Sequence, residues 1–299
     1  MLHPFFTLDV FTGTAFAGNP LAVVLGASDL TDRQMQTVAR EFNLSETVFV
    51  SAPQNAENRA RIRIFMPTGE LPFAGHPTIG TAVLLASLDA VNVTEHSIQI
   101  GLEERVGLVP VEVTCSDGEW TGTLSAAVMP KPAGDPPSTE LLARAIGLET
   151  GAIGFAGHTP GLFDAGVRYL FIPVRDLDAL NRAAVAEPAW NEMTTAAGTD
   201  GAYLYTAGDN GRDWRARLYA PAAGIPEDPA TGSAAAAFPG QLNAARTLAD
   251  GTHSWTIGQG IEMGRASDIS LQADVAGGAF TAVRVGGKAV AVSRGMITI

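Results

Sequence analysis

Apolar and polar positions along the chain form many short strand-like segments and a few helical ones, but in two places the sequence is apolar on every side. Segments such as Phe5–Phe11, Thr47–Val50, Arg61–Phe65, Val109–Thr114 and Tyr203–Thr206 are rich in β-branched and aromatic residues and bounded by turn formers. They read as strands. Thr31–Phe42 has helical spacing instead, with a threonine start and apolar Met35, Val38, Ala39 and Phe42. Thr139–Ile146 and Asp176–Ala184 follow the same pattern. The all-apolar segments are Thr78–Leu88 and Ser233–Phe238. A helix apolar all round is a buried one, so each predicts a helix enclosed by other structure.

These two segments sit in a longer repetition. Arg61-Ile-Arg63-Ile-Phe65-Met-Pro67 returns 154 positions later as Arg215-Ala-Arg217-Leu-Tyr219-Ala-Pro221, and each copy leads through a turn into one buried helix. Many strands and one enclosed helix per half predict an α+β chain of two pseudo-symmetric domains, each a curved mixed sheet wrapped around its central helix. The expected domains are 1–125, completed by the C-terminal segment 286–299, and 126–285. Pro130–Pro137 has the composition of a linker between them, because its prolines remove ladder donors. Gly286-Gly287 reads as a hairpin turn between strands Phe280–Val285 and Ala289–Val292.

Composition narrows the classes. With 299 residues, 46% hydrophobic and 17% charged, the chain can bury a substantial core. Uninterrupted apolar stretches such as Ala82–Ala86 are far short of the roughly 20 residues of a membrane helix, and no basic-then-apolar leader opens the sequence. A cytoplasmic protein with no membrane partner is expected. A formal charge of −12 with no basic run disfavours nucleic acid. The single cysteine, Cys115, excludes an internal disulfide and any chemistry that needs two thiols.

GxSxG, GxxxxGK[ST] and HExxH spacings are missing, and His3, His76, His96, His158 and His253 are scattered, so no metal is expected. Small polar residues lead into both buried helices: Gly75-His76-Pro77 and Thr231-Gly232-Ser233. Helix N-termini offer free amides to anions. His76 either caps its helix or acts as an acid, base or donor. The tetrapeptide Phe73-Ala-Gly-His76 recurs as Phe155-Ala-Gly-His158, but there it precedes a turn and strand, so His158 is read as structural. Asp228 either caps or serves the second helix, whose dipole favours negative charge, and Ser233 can cap and bind at once. Glu46 lies between a helix and a strand, with Asp200 as its counterpart 154 positions on. A partly buried carboxylate there could move protons.

Taken together, Asp9-Val-Phe11 with Ala17-Gly-Asn19-Pro, Leu44-Ser-Glu46, Phe73-Ala-Gly-His-Pro77, Glu227-Asp-Pro-Ala-Thr-Gly-Ser-Ala234 and Gln259-Gly with Met263-Gly-Arg265 resemble the PhzF family of phenazine-biosynthesis-like isomerases. The resemblance implies the diaminopimelate epimerase-like fold, with Glu46 as the proton-shuttling acid/base and His76, Asp228 and Ser233 as the other catalytic residues. It further implies substrate binding by Asn19, Gly75, Thr231 and Gly232, a small carboxylate substrate, a homodimer and no cofactor. Epimerases of this fold carry a cysteine in each turn, where this chain has Ala74 and Thr231, and Ala266 stands where the family pattern has proline. Three functions are open at this point: a cofactor-independent isomerase, a related epimerase or lyase, and a catalytically idle metabolite- or protein-binding member.

Overall fold

The computed structural model describes residues 1–90 and 95–299, with the side chain of His96 outside the described residues. The chain divides into two compact units, Met1–Ser125 with Gly286–Ile299, and Ala126–Val285.

The first unit is built from β1 (Leu2–Val10), β2 (Asn19–Leu25), α1 (Asp32–Phe42), β3 (Glu46–Ser51), β4 (Ala60–Phe65), β5 (Glu70–Leu71), α2 (Gly75–Asp89), β6 (Glu95–Glu104), β7 (Gly107–Ser116) and β8 (Glu119–Ser125). Its sheet is mixed. β2 runs parallel to β3 and β4 parallel to β6, while β1–β2, β3–β4, β6–β7 and β7–β8 are antiparallel. The sheet curves round α2, which is buried from His76 through Ala86. α1 covers the outside. Its N-terminus is closed by a capping box between Thr31 and Gln34, and Met35, Val38 and Ala39 bury one face against Val24, Phe49 and Phe65.

From its second strand onward the second unit repeats the order of the first, with two helices in place of α1. It comprises β9 (Lys131–Pro132), α3 (Thr139–Ala145), β10 (Gly161–Asp164), β11 (Arg168–Pro173), α4 (Leu177–Arg182), α5 (Ala189–Ala197), β12 (Ala202–Ala207), β13 (Trp214–Ala220), β14 (Ile225–Asp228), α6 (Gly232–Ala245), β15 (Gly251–Gln259), β16 (Ser267–Ala276) and the start of β17 (Ala279–Thr298). The parallel steps recur in place, β11 with β12 and β13 with β15. The central helix α6 is buried from Ala234 to Leu242. Phe238 on α6 meets Phe171, Tyr203, Tyr205 and Trp214 at ring distances of 4.8–5.8 Å, stacked on Phe171, tilted to Tyr203 and edge to face with the other two. Each such pair adds about 0.5–1.5 kcal/mol beyond area burial.

Three sequence expectations are corrected. Gly286-Gly287 makes no hairpin, since β17 is one strand whose C-terminal part pairs antiparallel with β1, from Leu2↔Thr298 to Val10↔Ala289. Neither glycine takes the positive φ that a two-residue hairpin requires. Gly286 instead permits close approach to β8, where a Cβ would lie 2.6 Å from Thr123 Oγ1 and 2.8 Å from the Gly122 carbonyl. Pro130–Pro137 is not a free linker either, because Lys131–Pro132 pairs with Asp164 and Phe163 of β10. Edge strands tolerate proline, which explains the placement. The third correction concerns Asp200. Strand register aligns Thr47↔Phe65 with Ala202↔Tyr219, because the β12–β13 connection is one residue shorter than β3–β4. The counterpart of Glu46 is therefore Gly201, and Asp200 lies exposed one residue earlier.

Candidate active site

In the first unit Glu46 opens β3 and His76 lies in the first turn of α2. Glu46 is 8% exposed and His76 6%. Glu46 Oε2 is 3.3 Å from His76 Nε2. Burial pushes the imidazole down to about 3, against a hydrogen bond to the Pro20 backbone that favours its charged form. His76 is thus neutral, and because proline has no N–H, its ring donates to the Pro20 carbonyl. Asn19, the first residue of β2, is fully buried. Ala74, the residue before α2, has no side chain to cap the amides of Gly75 and His76. Thr78 Oγ1 lies 2.7 Å from the Ala74 carbonyl and 2.6 Å from Glu104 Oε1. Burial raises Glu104 to about 7, opposed by the Thr78 bond.

In the second unit Asp228 ends β14, directly before the entrance to α6. The Thr231 hydroxyl donates to Asp228 Oδ2 at 2.5 Å. The Gln259 side chain accepts from the Thr231 N–H at 3.2 Å and donates to the Asp228 carbonyl at 2.8 Å. Both donors of Thr231 are thus committed inside the turn, and no side chain caps the amides of Gly232 and Ser233. Ser233 Oγ is 2.8 Å from the Tyr169 hydroxyl. Tyr203 is fully buried, and its phenol is pushed up by burial and then by the charge of Asp228. Glu227, adjacent to Asp228 in sequence, is drawn away by Arg217.

His158 is placed as the sequence suggests, as a structural residue: it stacks on Phe155 and its Nδ1 is 2.9 Å from the Tyr205 hydroxyl. Sequence reasoning attached no role to Tyr169, Glu104 or Gln259. Gln259 was already marked by its motif, whereas the other two owe their positions to strand register alone.

A family model described as phenazine biosynthesis-like protein matches residues 8–295. The chain belongs to this PhzF family. An uncharacterized isomerase of Mesorhizobium japonicum is 40% identical over 296 residues, covering 97% of each chain. The trans-2,3-dihydro-3-hydroxyanthranilate isomerase of Pseudomonas aeruginosa is 36% identical, covering 98% of this chain and 99% of its own. Among solved structures, a PhzF-family phenazine biosynthesis protein of Bacillus anthracis superposes with a TM-score of 0.89 at 23% identity, covering all of both chains. The chain is an isomerase of this family, with the epimerase-like α+β fold.

Proposed function

We propose that the protein is a cofactor-independent isomerase that moves a proton within a small carboxylate-bearing substrate, with Glu46 as the carrier. The observation that supports this most is the buried pair of Glu46 and a neutral His76 at 3.3 Å. Glu46 takes a carbon-bound proton, forming an O–H bond as the C–H electrons pass into the substrate's π system. The same proton then returns to another carbon, and the double bond shifts. The only N–H of neutral His76 is directed at Pro20 through Nδ1, so the Nε2 lone pair faces Glu46 and can accept from its protonated carboxyl between the two steps.

In each unit the uncapped amides, at Gly75 in the first and at Gly232 and Ser233 in the second, suit an anionic group, because donors already oriented towards charge need no reorganisation. Thr231, with both donors committed, shapes its turn and does not bind substrate itself, while Asp228 holds the Thr231 hydroxyl. Two-thiol racemisation is closed to this chain, whose helix entrances carry Ala74 and Thr231 and whose one cysteine is buried in β7. Similarity to the Pseudomonas enzyme makes trans-2,3-dihydro-3-hydroxyanthranilate the first substrate to assay. With it, Glu46→Gln should lower turnover at least about a thousandfold, while proton NMR in deuterated water follows the rearrangement of the wild type. Full turnover by Glu46→Gln would refute this mechanism.

A further inference from the structure

The two units offer an internal comparison. In the first, Glu46 lies beside His76 in the opening turn of the central helix. In the second, strand register puts Gly201 at the position of Glu46, and the equivalent helix position is Ser233. The space that a side chain at Gly201 would enter is already filled. A Cβ there would come 3.1 and 3.2 Å from ring carbons of Tyr169. Tyr169 belongs to β11, the strand parallel to β12, with Leu170 beside Ala202. Its ring crosses over Gly201, and its hydroxyl ends 2.8 Å from Ser233 Oγ. A phenol on Ser233 therefore replaces the carboxyl on His76.

We propose that Tyr169 is the positioning residue that orients the Ser233 hydroxyl. Tyr169 is 9% exposed, whereas Ser233 is only half-buried. A phenol is the stronger donor of the two hydroxyls, so Tyr169 donates and Ser233 keeps its own proton for a group outside the pair. Turned that way, beside the open Gly232 and Ser233 amides, the hydroxyl adds a third donor for a carboxylate. The consequence for turnover rests on the reading of Ser233 as a substrate-binding residue, but the hydrogen bond itself does not.

The first test therefore needs no substrate. Ser233→Cys introduces a thiol at this point, and the other cysteine, Cys115, is buried. Its alkylation by iodoacetamide is followed against pH with Tyr169 intact and with Tyr169→Phe, which keeps the ring over Gly201 and removes only the hydroxyl. A donor that favours the thiolate should hold the midpoint of reactivity lower, so Tyr169→Phe should raise it by about one pH unit. An unchanged midpoint overturns the proposal. In turnover, Ser233→Ala and Tyr169→Phe should each cost about tenfold, and the double variant no more than Ser233→Ala alone. Additive losses, or a Tyr169→Phe variant with wild-type rates, also overturn it. Glu46→Gln assayed alongside separates failure of the isomerase reading, which would leave the alkylation result standing.

Discussion

Arg217 meets Glu227 through two parallel hydrogen bonds of 2.8 and 2.9 Å, and Arg63 meets Glu70 in the same way at 2.7 Å twice. The repeated Arg-x-Arg motif thus ties the hairpin ahead of each central helix to its strand. The copies differ in what else they hold. Arg217 Nη1 also donates to the carbonyls of Leu180, Asn181 and Ala183, at 2.9, 3.2 and 3.0 Å. Arg63 reaches the exposed Asp32 instead. Removing Arg217, itself buried, leaves a half-buried carboxylate and three carbonyls without their donor, so Arg217→Met should cost about 3–5 kcal/mol. Arg63→Met should cost clearly less. Urea unfolding of both variants checks the ranking, and equal losses would contradict it.

His76 links stability to acid. Its pKa is about 3 in the fold and about 6.5 when unfolded, so between these values the unfolded chain binds the extra proton. Its contribution is complete above about 6.5 and is lost as pH falls towards 3. Compared with His76→Gln, the wild type should lose about 1.4 kcal/mol per pH unit across this window. Parallel unfolding curves at pH 7 and pH 5 measure the difference, and a constant gap between the two proteins would refute it.

Glu104 has the opposite slope. Its pKa rises to about 7 in the fold from 4.5, so the folded chain holds the extra proton between these values. Stability from this group is complete below about 4.5 and is lost as pH rises through 7. The Thr78 hydroxyl that donates to Glu104 is shared with the Ala74 carbonyl, so this one hydrogen offsets little of the burial that favours the protonated carboxyl. Glu104→Gln should therefore stabilise the protein by about 1–3 kcal/mol at pH 8 and change little at pH 4.5. A variant less stable than wild type at pH 8 would argue for an ionised, paired carboxylate.

Gly286 is required for its lack of a side chain. A Cβ 2.8 Å from the Gly122 carbonyl cannot be accommodated by moving a side chain alone. Gly286→Ala should push β17 from β8 and cost about 1–3 kcal/mol. Gly69→Ala, where a Cβ would meet nothing within 4 Å, serves as the control in the same thermal melts. Equal melting temperatures for the two variants would count against the close approach.

The fold class was legible because burial leaves a direct record in residue type. Only an enclosed helix can be apolar through Thr78–Leu88 or alanine-rich through Ser233–Phe238, and the duplicated Arg-x-Arg strands announce that the same unit occurs twice. The α1 boundaries were equally local, since Thr31 and Gln34 cap within a single turn. What sequence could not supply was register. Counting positions pairs Glu46 with Asp200, whereas the sheet pairs it with Gly201, because one residue fewer in a connecting loop shifts every side chain on a strand to the other face. Tyr169 acquires its contact with Ser233 only through that shift and through a neighbouring parallel strand. The desolvation of the Glu104 carboxyl, the unbroken path of β17 through Gly286-Gly287 and the 3.3 Å approach of Glu46 to His76 arise similarly. Each depends on distances between strands and helices remote in sequence, which tertiary packing alone decides.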